Sequence, residues 1–172
     1  MLFMYPNSST AIIVAGAGGT LNSPAKGIFD LTIPSNLYVL DSGRNCMMLW
    51  SNISSVNGTY LFGSTGSNLS QFNNPHGFYL SSNRSFYIAD RANHRILLWL
   101  WNASSGIVIA GVSGVAGNDT FHLNLPTDVF VDEKLEQMYV ADFGNHRIIK
   151  YTIGLLNGTV IAGGNGPGNQ RK

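Results

Sequence analysis

Short apolar runs alternate with polar turn residues along the whole chain. The runs are four to six residues long, rich in Val, Ile, Tyr and Phe, and separated by clusters of Gly, Asn and Ser. Such runs are typical of β-strands, and no stretch shows the sustained periodicity of an amphipathic helix. The longest run, residues 96–101, is far shorter than the ~18 apolar residues of a membrane-spanning helix. The pattern therefore predicts an all-β protein.

The pattern repeats about every fifty residues. Three kinds of landmark carry this period: a proline before a strand, an aspartate after a strand, and a glycine that ends an apolar run. The prolines are Pro24, Pro75 and Pro126, the aspartates are Asp41, Asp90 and Asp142, and the glycines are Gly16, Gly63, Gly111 and Gly163. Landmarks of three kinds at one period indicate a repeat protein.

Each repeat contains four predicted strands. They lie at 28–33, 37–40, 47–50 and 60–62 in the first unit, at 77–80, 86–89, 96–101 and 107–110 in the second, and at 129–131, 138–141, 148–152 and 160–162 in the third. Four strands per 40 to 50 residues is typical of a β-propeller blade. An additional strand at 11–16 matches the fourth strand of a preceding blade.

One motif joins the second and third predicted strands of each unit. It reads YIADRANHRILLW at 87–99 and YVADFGNHRIIKY at 139–151. A divergent copy at 38–50 reads YVLDSGRNCMMLW. These segments resemble the NHL repeat. Propellers built on Tyr-Trp-Thr-Asp motifs are the second choice, because they lack the Asn-His-Arg-Ile continuation.

The resemblance implies a partial propeller, an open arc of about three NHL-type blades and one extra strand. We predict an N-terminal segment at 1–23, blades at 24–63, 75–111 and 126–163, and a tail at 164–172. NHL-type propellers resemble six-bladed rings. The arc is thus expected to expose apolar faces on its first and last blades, and either to belong to a longer chain or to self-associate into a six-bladed ring.

The repeated polar residues are interpreted as structural, because chemistry normally appears in one copy and these residues appear in two or three. Aspartate at a strand end can accept hydrogen bonds from the following turn. Asn93 and Asn145 are expected to adopt positive φ, and Arg95 and Arg147 are expected to pair with carboxylates. The complete structural set is Asp41, Asp90, Asn93, His94, Arg95, Asp142, Asn145, His146 and Arg147.

A candidate ligand-binding site follows from the residues just after the repeated prolines. This slot holds Ala25 or Lys26, His76, and Thr127 or Asp128, and all are expected at the mouth of the central channel. We therefore name Lys26, His76, Thr127 and Asp128 as ligand-binding candidates. NHL-type propellers include the peptide-amidating lyase, whose zinc histidines resemble the placement of His76. Ala25 and Thr127 fill the other two slots, and a zinc site needs three or four ligands.

Composition excludes several classes. Charged residues make up 11% of the chain and the formal net charge is +1, so a strong basic field for nucleic acid is absent. The single cysteine, Cys46, excludes an internal disulfide framework and a multi-thiolate zinc site. No catalytic triad or phosphate-binding glycine loop is recognisable. We expect no catalytic residue, cofactor, resident metal or membrane insertion.

Acceptor motifs for N-glycosylation are unusually frequent, and most fall in predicted turns. Besides Asn7, they are Asn52, Asn57, Asn68, Asn83, Asn102, Asn118 and Asn157. This favours an extracellular or cell-surface protein over a cytoplasmic one. We expect a non-enzymatic propeller segment that binds a protein, peptide or glycan, or acts as a scaffold. The alternative is an enzyme resembling the amidating lyase.

Overall fold

A computed structural model describes residues 21–52 and 57–168, together with the backbone of two short strands near the N-terminus. Fourteen strands are present in the described parts of the chain. They are β1 Leu2–Phe3, β2 Ile12–Ile13, β3 Pro24–Phe29, β4 Leu37–Asp41, β5 Cys46–Trp50, β6 Thr59–Phe62, β7 Gly77–Leu80, β8 Phe86–Asp90, β9 Arg95–Trp99, β10 Ile107–Gly111, β11 Pro126–Asp132, β12 Gln137–Asp142, β13 Arg147–Thr152 and β14 Thr159–Gly163. Within these parts, no helix is long and apolar enough to cross a membrane.

Three four-stranded antiparallel sheets form the molecule, as the repeat predicts. Strands β3–β6 make blade 1, β7–β10 make blade 2, and β11–β14 make blade 3, each with its strands in consecutive order. The predicted all-β propeller architecture is confirmed. In every blade the motif aspartate pairs across the second turn with the residue five positions later, as in Asp90 with Arg95 and Asp142 with Arg147.

The first strand of blade 1 differs from its prediction. We predicted residues 28–33, whereas β3 starts at Pro24 and ends at Phe29. Asp30 ends the strand because its carboxylate accepts hydrogen bonds from the backbone N–H groups of Thr32 and Ile33. This local turn competes with continued strand pairing. The apolar side chains of Leu31 and Ile33 therefore belong to a turn.

The core lies between blades. Aromatic side chains fill the junction of blades 1 and 2, where the ring of Phe62 stacks on that of Trp99 with centroids 4.3 Å apart. The junction of blades 2 and 3 is mostly aliphatic, with Ala89 and Ile96 buried beside Val129. Each blade thus buries one face of its sheet against the next, which is the layer packing that a twisted sheet needs.

The two ends of the arc are unlike, which corrects our expectation that both expose apolar faces. On blade 1, Leu37, Val39 and Trp50 are fully buried. On blade 3, every residue of the outer strand β14 is exposed. Strand β2 pairs with β1 in a separate two-stranded sheet, while the remaining residues of the extra strand predicted at 11–16 lie outside the described residues.

Candidate functional site

The repeated motif forms a buried polar cluster in blade 2. The Asp90 carboxylate accepts hydrogen bonds from the Asn73 backbone N–H (2.8 Å), from Asn93 Nδ2 (2.8 Å) and from Arg95 Nε (2.8 Å). Asp90 and Arg95 are almost completely buried. Burial raises the pKa of Asp90, and the three hydrogen bonds oppose that change. The predicted pairing of the motif arginine with a carboxylate is therefore present.

Blade 3 repeats this cluster. The Asp142 carboxylate accepts from the Asn124 backbone N–H (2.6 Å), from Asn145 Nδ2 (2.7 Å) and from Arg147 Nε (2.7 Å). Equal partners in two blades fit a structural role, because the polar groups of the cluster hydrogen-bond to one another and to the backbone. A buried carboxylate is tolerated only when it is paired and hydrogen-bonded in this way.

The motif arginines also bind the connection that precedes their own blade, which the sequence did not reveal. The Arg95 guanidinium donates to the backbone carbonyls of Ser67, Asn68 and Gln71. The Arg147 guanidinium donates to three carbonyls of the next connection, those of Asn118, Asp119 and His122. A planar guanidinium with five N–H donors suits such a task. We call each arrangement an arginine clamp.

The positive backbone angle lies one residue later than we predicted. Asn93 and Asn145 belong to short 3-10 turns, whereas φ is 55° at His94 and 52° at His146. The prediction for the two asparagines is therefore wrong. The side chains of these two asparagines instead donate hydrogen bonds to the motif aspartates. The sequence of blade 1 indicates the correct position, because Asn45, a residue type that tolerates positive φ, fills the histidine slot there and has a φ of 55°.

Blade 1 has no arginine at the position of the clamp. Its arginine slot holds Cys46, which is buried, and burial raises the pKa of this thiol to about 11. Asp41 accepts one backbone hydrogen bond, from Asn22 N–H at 2.9 Å, and the Arg44 guanidinium lies 3.8 Å from its carboxylate. Cys46 is thus a small apolar residue in a degenerate turn, unsuited to act as a nucleophile.

The four residues predicted at the channel mouth lie close together: Lys26 is on β3, Thr127 and Asp128 are on β11, and His76 directly precedes β7. Lys26 Nζ contacts both carboxylate oxygens of Asp128, at 2.7 and 2.9 Å, and so joins blade 1 to blade 3. Between them, His76 Nδ1 lies 3.2 Å from the backbone carbonyl of Thr127. A carbonyl only accepts hydrogen bonds, so Nδ1 carries a proton and donates this one; in the tautomer with its proton on Nδ1, Nε2 is an acceptor.

A glycine permits this close approach. A Cβ built on Gly77 would lie 2.3 Å from Asp128 Oδ1 and 2.5 Å from the Thr127 carbonyl. The histidine beside it is exposed, and Lys26 and Asp128 keep 31% and 51% of their side-chain surfaces accessible. The mouth therefore presents an ammonium group, a carboxylate and an imidazole to solvent within one small area.

No metal centre is evident at the mouth or elsewhere within the described ranges. No group of three or more His, Cys, Asp and Glu side chains is placed to hold an ion there. His94 and His146 lie in the equivalent turns of neighbouring blades, and His122 pairs with Asp119 at 2.8 Å. Ala25 and Thr127 offer no imidazole beside His76. The residues present do not fit a zinc site of three histidines.

The seven described glycosylation candidates are all exposed. Five lie in turns that join a blade's first strand to its second or its third to its fourth: Asn52, Asn57, Asn83, Asn102 and Asn157. In an antiparallel meander these turns lie at the opposite end of the blade from the start of its first strand. The channel mouth is at that start. The other two, Asn68 and Asn118, occupy equivalent places in the connections between blades.

Comparison with known proteins finds one matching family model and several related sequences. The family model described as NHL repeat matches residues 72–97, which include the motif of blade 2. The chain is 31% identical over 90 residues to peptidyl-glycine alpha-amidating monooxygenase A of Xenopus laevis, an alignment that covers 52% of this chain and 9% of that protein.

Two solved structures show the same architecture. One is a nidogen/laminin complex, with a TM-score of 0.61 and 15% identity over 84% of this chain and 49% of the other. The second is an auxiliary nutrient binding protein from Bacteroides thetaiotaomicron, with a TM-score of 0.57 and 18% identity over 72% of this chain and 36% of the other. The chain thus spans less than half the length of each of these three proteins. Residues 72–97 thus match the NHL repeat, and the three four-stranded sheets of the chain form part of a β-propeller.

Proposed function

We propose that this chain is a non-enzymatic binding module of an extracellular or cell-surface protein, with its ligand site at the channel mouth. The convergence of Lys26, His76 and Asp128 from three different blades carries the proposal. Each blade supplies one group from the first or second position after its repeated proline, and none of the three groups belongs to the buried motif clusters. Accessible polar groups that meet at one point of the surface are suited to recognition.

The chemistry of the mouth suits a protein, peptide or glycan ligand. Lys26 donates hydrogen bonds, Asp128 accepts them, and His76 offers an acceptor at Nε2. Peptide amides and sugar hydroxyls both contain donors and acceptors at short spacing. They can therefore form hydrogen bonds with all three of these side chains. The ion pair is partly exposed and therefore weak, which lets a ligand replace one of its bonds at small cost.

The distribution of glycosylation motifs supports both parts of the proposal. Five of the seven described candidates lie on the blade end away from the mouth. Glycans there would leave the mouth open. The printed description of one structural neighbour, a nidogen/laminin complex, names a protein–protein assembly, and that of another names nutrient binding. Both descriptions are compatible with a module that binds.

The direct test is a screen of the full chain, secreted from cultured animal cells, against a glycan array and a displayed peptide library. Binders are then measured against Lys26→Ala and Asp128→Ala. We expect at least a tenfold loss of affinity, equivalent to about 1.4 kcal/mol. Lys134→Ala is the matched control, because Lys134 is an exposed lysine in the turn at the opposite end of blade 3. Binders that lose nothing in either mouth variant would contradict the proposed site.

Location is tested in the same preparation. Mass spectrometry of glycopeptides should find N-glycans on several of the seven exposed asparagines. A protein secreted with none of them occupied would remove the main support for an extracellular role.

The alternative is an enzyme similar to the amidating lyase, and the identity to an amidating monooxygenase favours it. His76 is the residue that this alternative needs. Metal analysis of the full chain and of His76→Ala separates the two functions. Stoichiometric zinc that disappears in His76→Ala would favour the enzyme, whereas equal trace amounts in both proteins would favour the binding module.

A further inference from the structure

An open groove lies at the internal junction of blades 1 and 2, beside the outer strand β6. Leu61 and Phe62 of β6 form one wall, and Trp99 and Trp101, at the end of β9 and in the turn after it, form the other. The volume of the groove is about 240 Å³, less than the ~300–1,000 Å³ of pockets for drug-sized ligands. The groove therefore suits one group of the size of a single ring.

The turn after β9 leaves large apolar side chains of this groove accessible to solvent. Leu100 is 45% exposed and Trp101 is 40% exposed, and both line the groove. The guanidinium carbon of Arg84 lies 5.7 Å from the centroid of the Trp101 ring, a cation–π contact that helps to hold the indole in place. Accessible apolar surface of this kind is suited to bind a group that has an apolar face of its own.

Asn102 also lines the groove, and it begins the acceptor motif Asn-Ala-Ser at residues 102–104. Two hydrogen bonds hold its turn. The Ala103 N–H donates to the Leu100 carbonyl at 3.0 Å, and the Trp99 indole N–H donates to the Ala103 carbonyl at 3.0 Å. Asn102 has a φ of 62°, which asparagine tolerates better than most residues. The attachment point of a glycan is thus fixed at the edge of the groove.

The chemistry of the groove and its surroundings matches a sugar ring. An adjoining depression shares apolar residues with the groove and adds hydroxyl side chains: Tyr60, Ser64, Ser70 and Ser104. A pyranose ring has a face of C–H groups and a rim of polar groups. The C–H groups carry a small positive charge, so they are attracted to the negative face of an aromatic ring. An apolar wall beside a row of hydroxyl groups can therefore bind both parts of the ring.

The side chain of Asn102 is available for this role, in contrast to that of Asn83, the other acceptor asparagine in a hairpin turn of blade 2. Asn83 Oδ1 accepts hydrogen bonds from the Ser81 hydroxyl at 2.6 Å and from the Ser85 N–H at 3.0 Å, so it stabilises its own turn. The Asn102 side chain makes no hydrogen bond to any described residue. A sugar on its Nδ2 therefore replaces no existing contact within the described part of the chain.

We propose that the first sugar of a glycan on Asn102, an N-acetylglucosamine, packs in this groove against Trp101 and becomes part of the junction between blades 1 and 2. The inference rests on the extracellular part of the proposed function, because this acceptor motif is used in secreted proteins. On attachment, Asn102 Nδ2 exchanges a bond to hydrogen for a bond to sugar C1. The C1–O bond of a lipid diphosphate-linked oligosaccharide breaks, and the lipid diphosphate leaves with the electron pair while the proton passes to solvent.

The first experiment observes the sugar directly. The full chain is secreted from animal cells with ¹³C-labelled glycans and trimmed by endoglycosidase to one N-acetylglucosamine per site. Protons above the face of an aromatic ring resonate upfield, so we expect one set of sugar signals to be shifted upfield in the NMR spectrum. That set should disappear in Ser104→Ala, which removes the acceptor motif, and should return to the position of a free sugar in Trp101→Ala.

The second experiment measures the stability that the glycan contributes. Ser104→Ala prevents glycosylation and keeps asparagine at the positive φ of residue 102. We expect the unfolding equilibrium constant of the secreted protein to rise about tenfold in this variant, equivalent to about 1.4 kcal/mol. The same two proteins made without glycans in bacteria should be equally stable. Thr159→Ala is the matched control, because it removes the Asn157 motif on blade 3, away from the groove.

The outcomes separate this inference from the proposed function. Unshifted sugar signals, or secreted Ser104→Ala as stable as the secreted wild type, would overturn the packing and leave the extracellular role intact. So would glycans at other sites with Asn102 unoccupied. A secreted protein without any glycan would contradict both. If a variant or the bacterial protein does not fold, the NMR spectrum of the secreted wild type decides, since it requires neither.

Discussion

Blades 1 and 2 have the same four strands in the same register. They differ in how each blade binds the connection that precedes it. In blade 2, the arginine clamp links Asp90 to three backbone carbonyls of the preceding connection. In blade 1 the same slot holds Cys46, and Asp41 accepts one described backbone hydrogen bond. The sheet therefore forms without the clamp. What the clamp adds is a fixed connection between one blade and the next.

Removing the clamp arginine should cause the largest loss of stability. Arg95→Met keeps the apolar stem and removes the charge, which leaves Asp90 buried without its cationic partner. Breaking a buried pair typically costs about 3–5 kcal/mol. The measurement is the free energy of unfolding by urea. Arg44→Met is the blade 1 counterpart: its side chain is 44% exposed and 3.8 Å from Asp41, so we expect about 0–1 kcal/mol. Equal losses in both variants would remove the distinction between the blades.

The residue that replaces the arginine should be chemically inert. With its pKa raised to about 11 from 9.0 by burial, Cys46 forms about 100-fold less thiolate at pH 8 than an ordinary thiol. We expect its reaction with a disulfide reagent to be slower by at least that factor in the native protein than in urea. Rapid native labelling would show that the arginine slot of blade 1 is open to solvent.

Loss of a motif aspartate should cost less than loss of the arginine. In Asp142→Ala the Arg147 guanidinium keeps three carbonyl partners, while the Asn124 N–H loses its acceptor. We expect a loss of about 1–3 kcal/mol of unfolding free energy, with ligand binding retained. Asp41→Ala should cost less, because Asp41 has fewer described partners. A stable Asp142→Ala protein that no longer binds ligand would contradict the structural role.

Sequence was sufficient for the repeat, the strands and the Asp–Arg pairs, because all three recur at fixed spacing. It was insufficient for contacts that join different blades. Nothing in the spacing shows that Arg95 reaches back to carbonyls 24 to 28 residues earlier, or that Lys26 meets Asp128 across 102 residues. The end of β3 was also missed, because Leu31 and Ile33 are apolar residues in a turn that Asp30 closes.

The smallest effect is expected at the junction of blades 2 and 3, on the end opposite the clamps. There Glu133 of blade 3 accepts from the backbone N–H and hydroxyl of Ser82 and from Tyr79 Oη. Hydrogen bonds, chiefly from the Ser82 hydroxyl, lower the pKa of Glu133 below its ordinary 4.5. A carboxyl group with a lowered pKa in the folded state stabilises the fold above its ordinary pKa. That stability is lost as pH falls through the lowered value.

Wild type and Glu133→Gln should therefore differ most near neutral pH and converge in acid. Because Glu133 is mostly exposed, solvent screening keeps the difference below about 1 kcal/mol. Urea unfolding of both proteins at pH 7 and pH 3 measures it. Lys134→Gln, at an exposed lysine of the same turn, serves as the control for a general effect of acid. A difference between wild type and Glu133→Gln that grows as pH falls would show that the lowered pKa is wrong in sign.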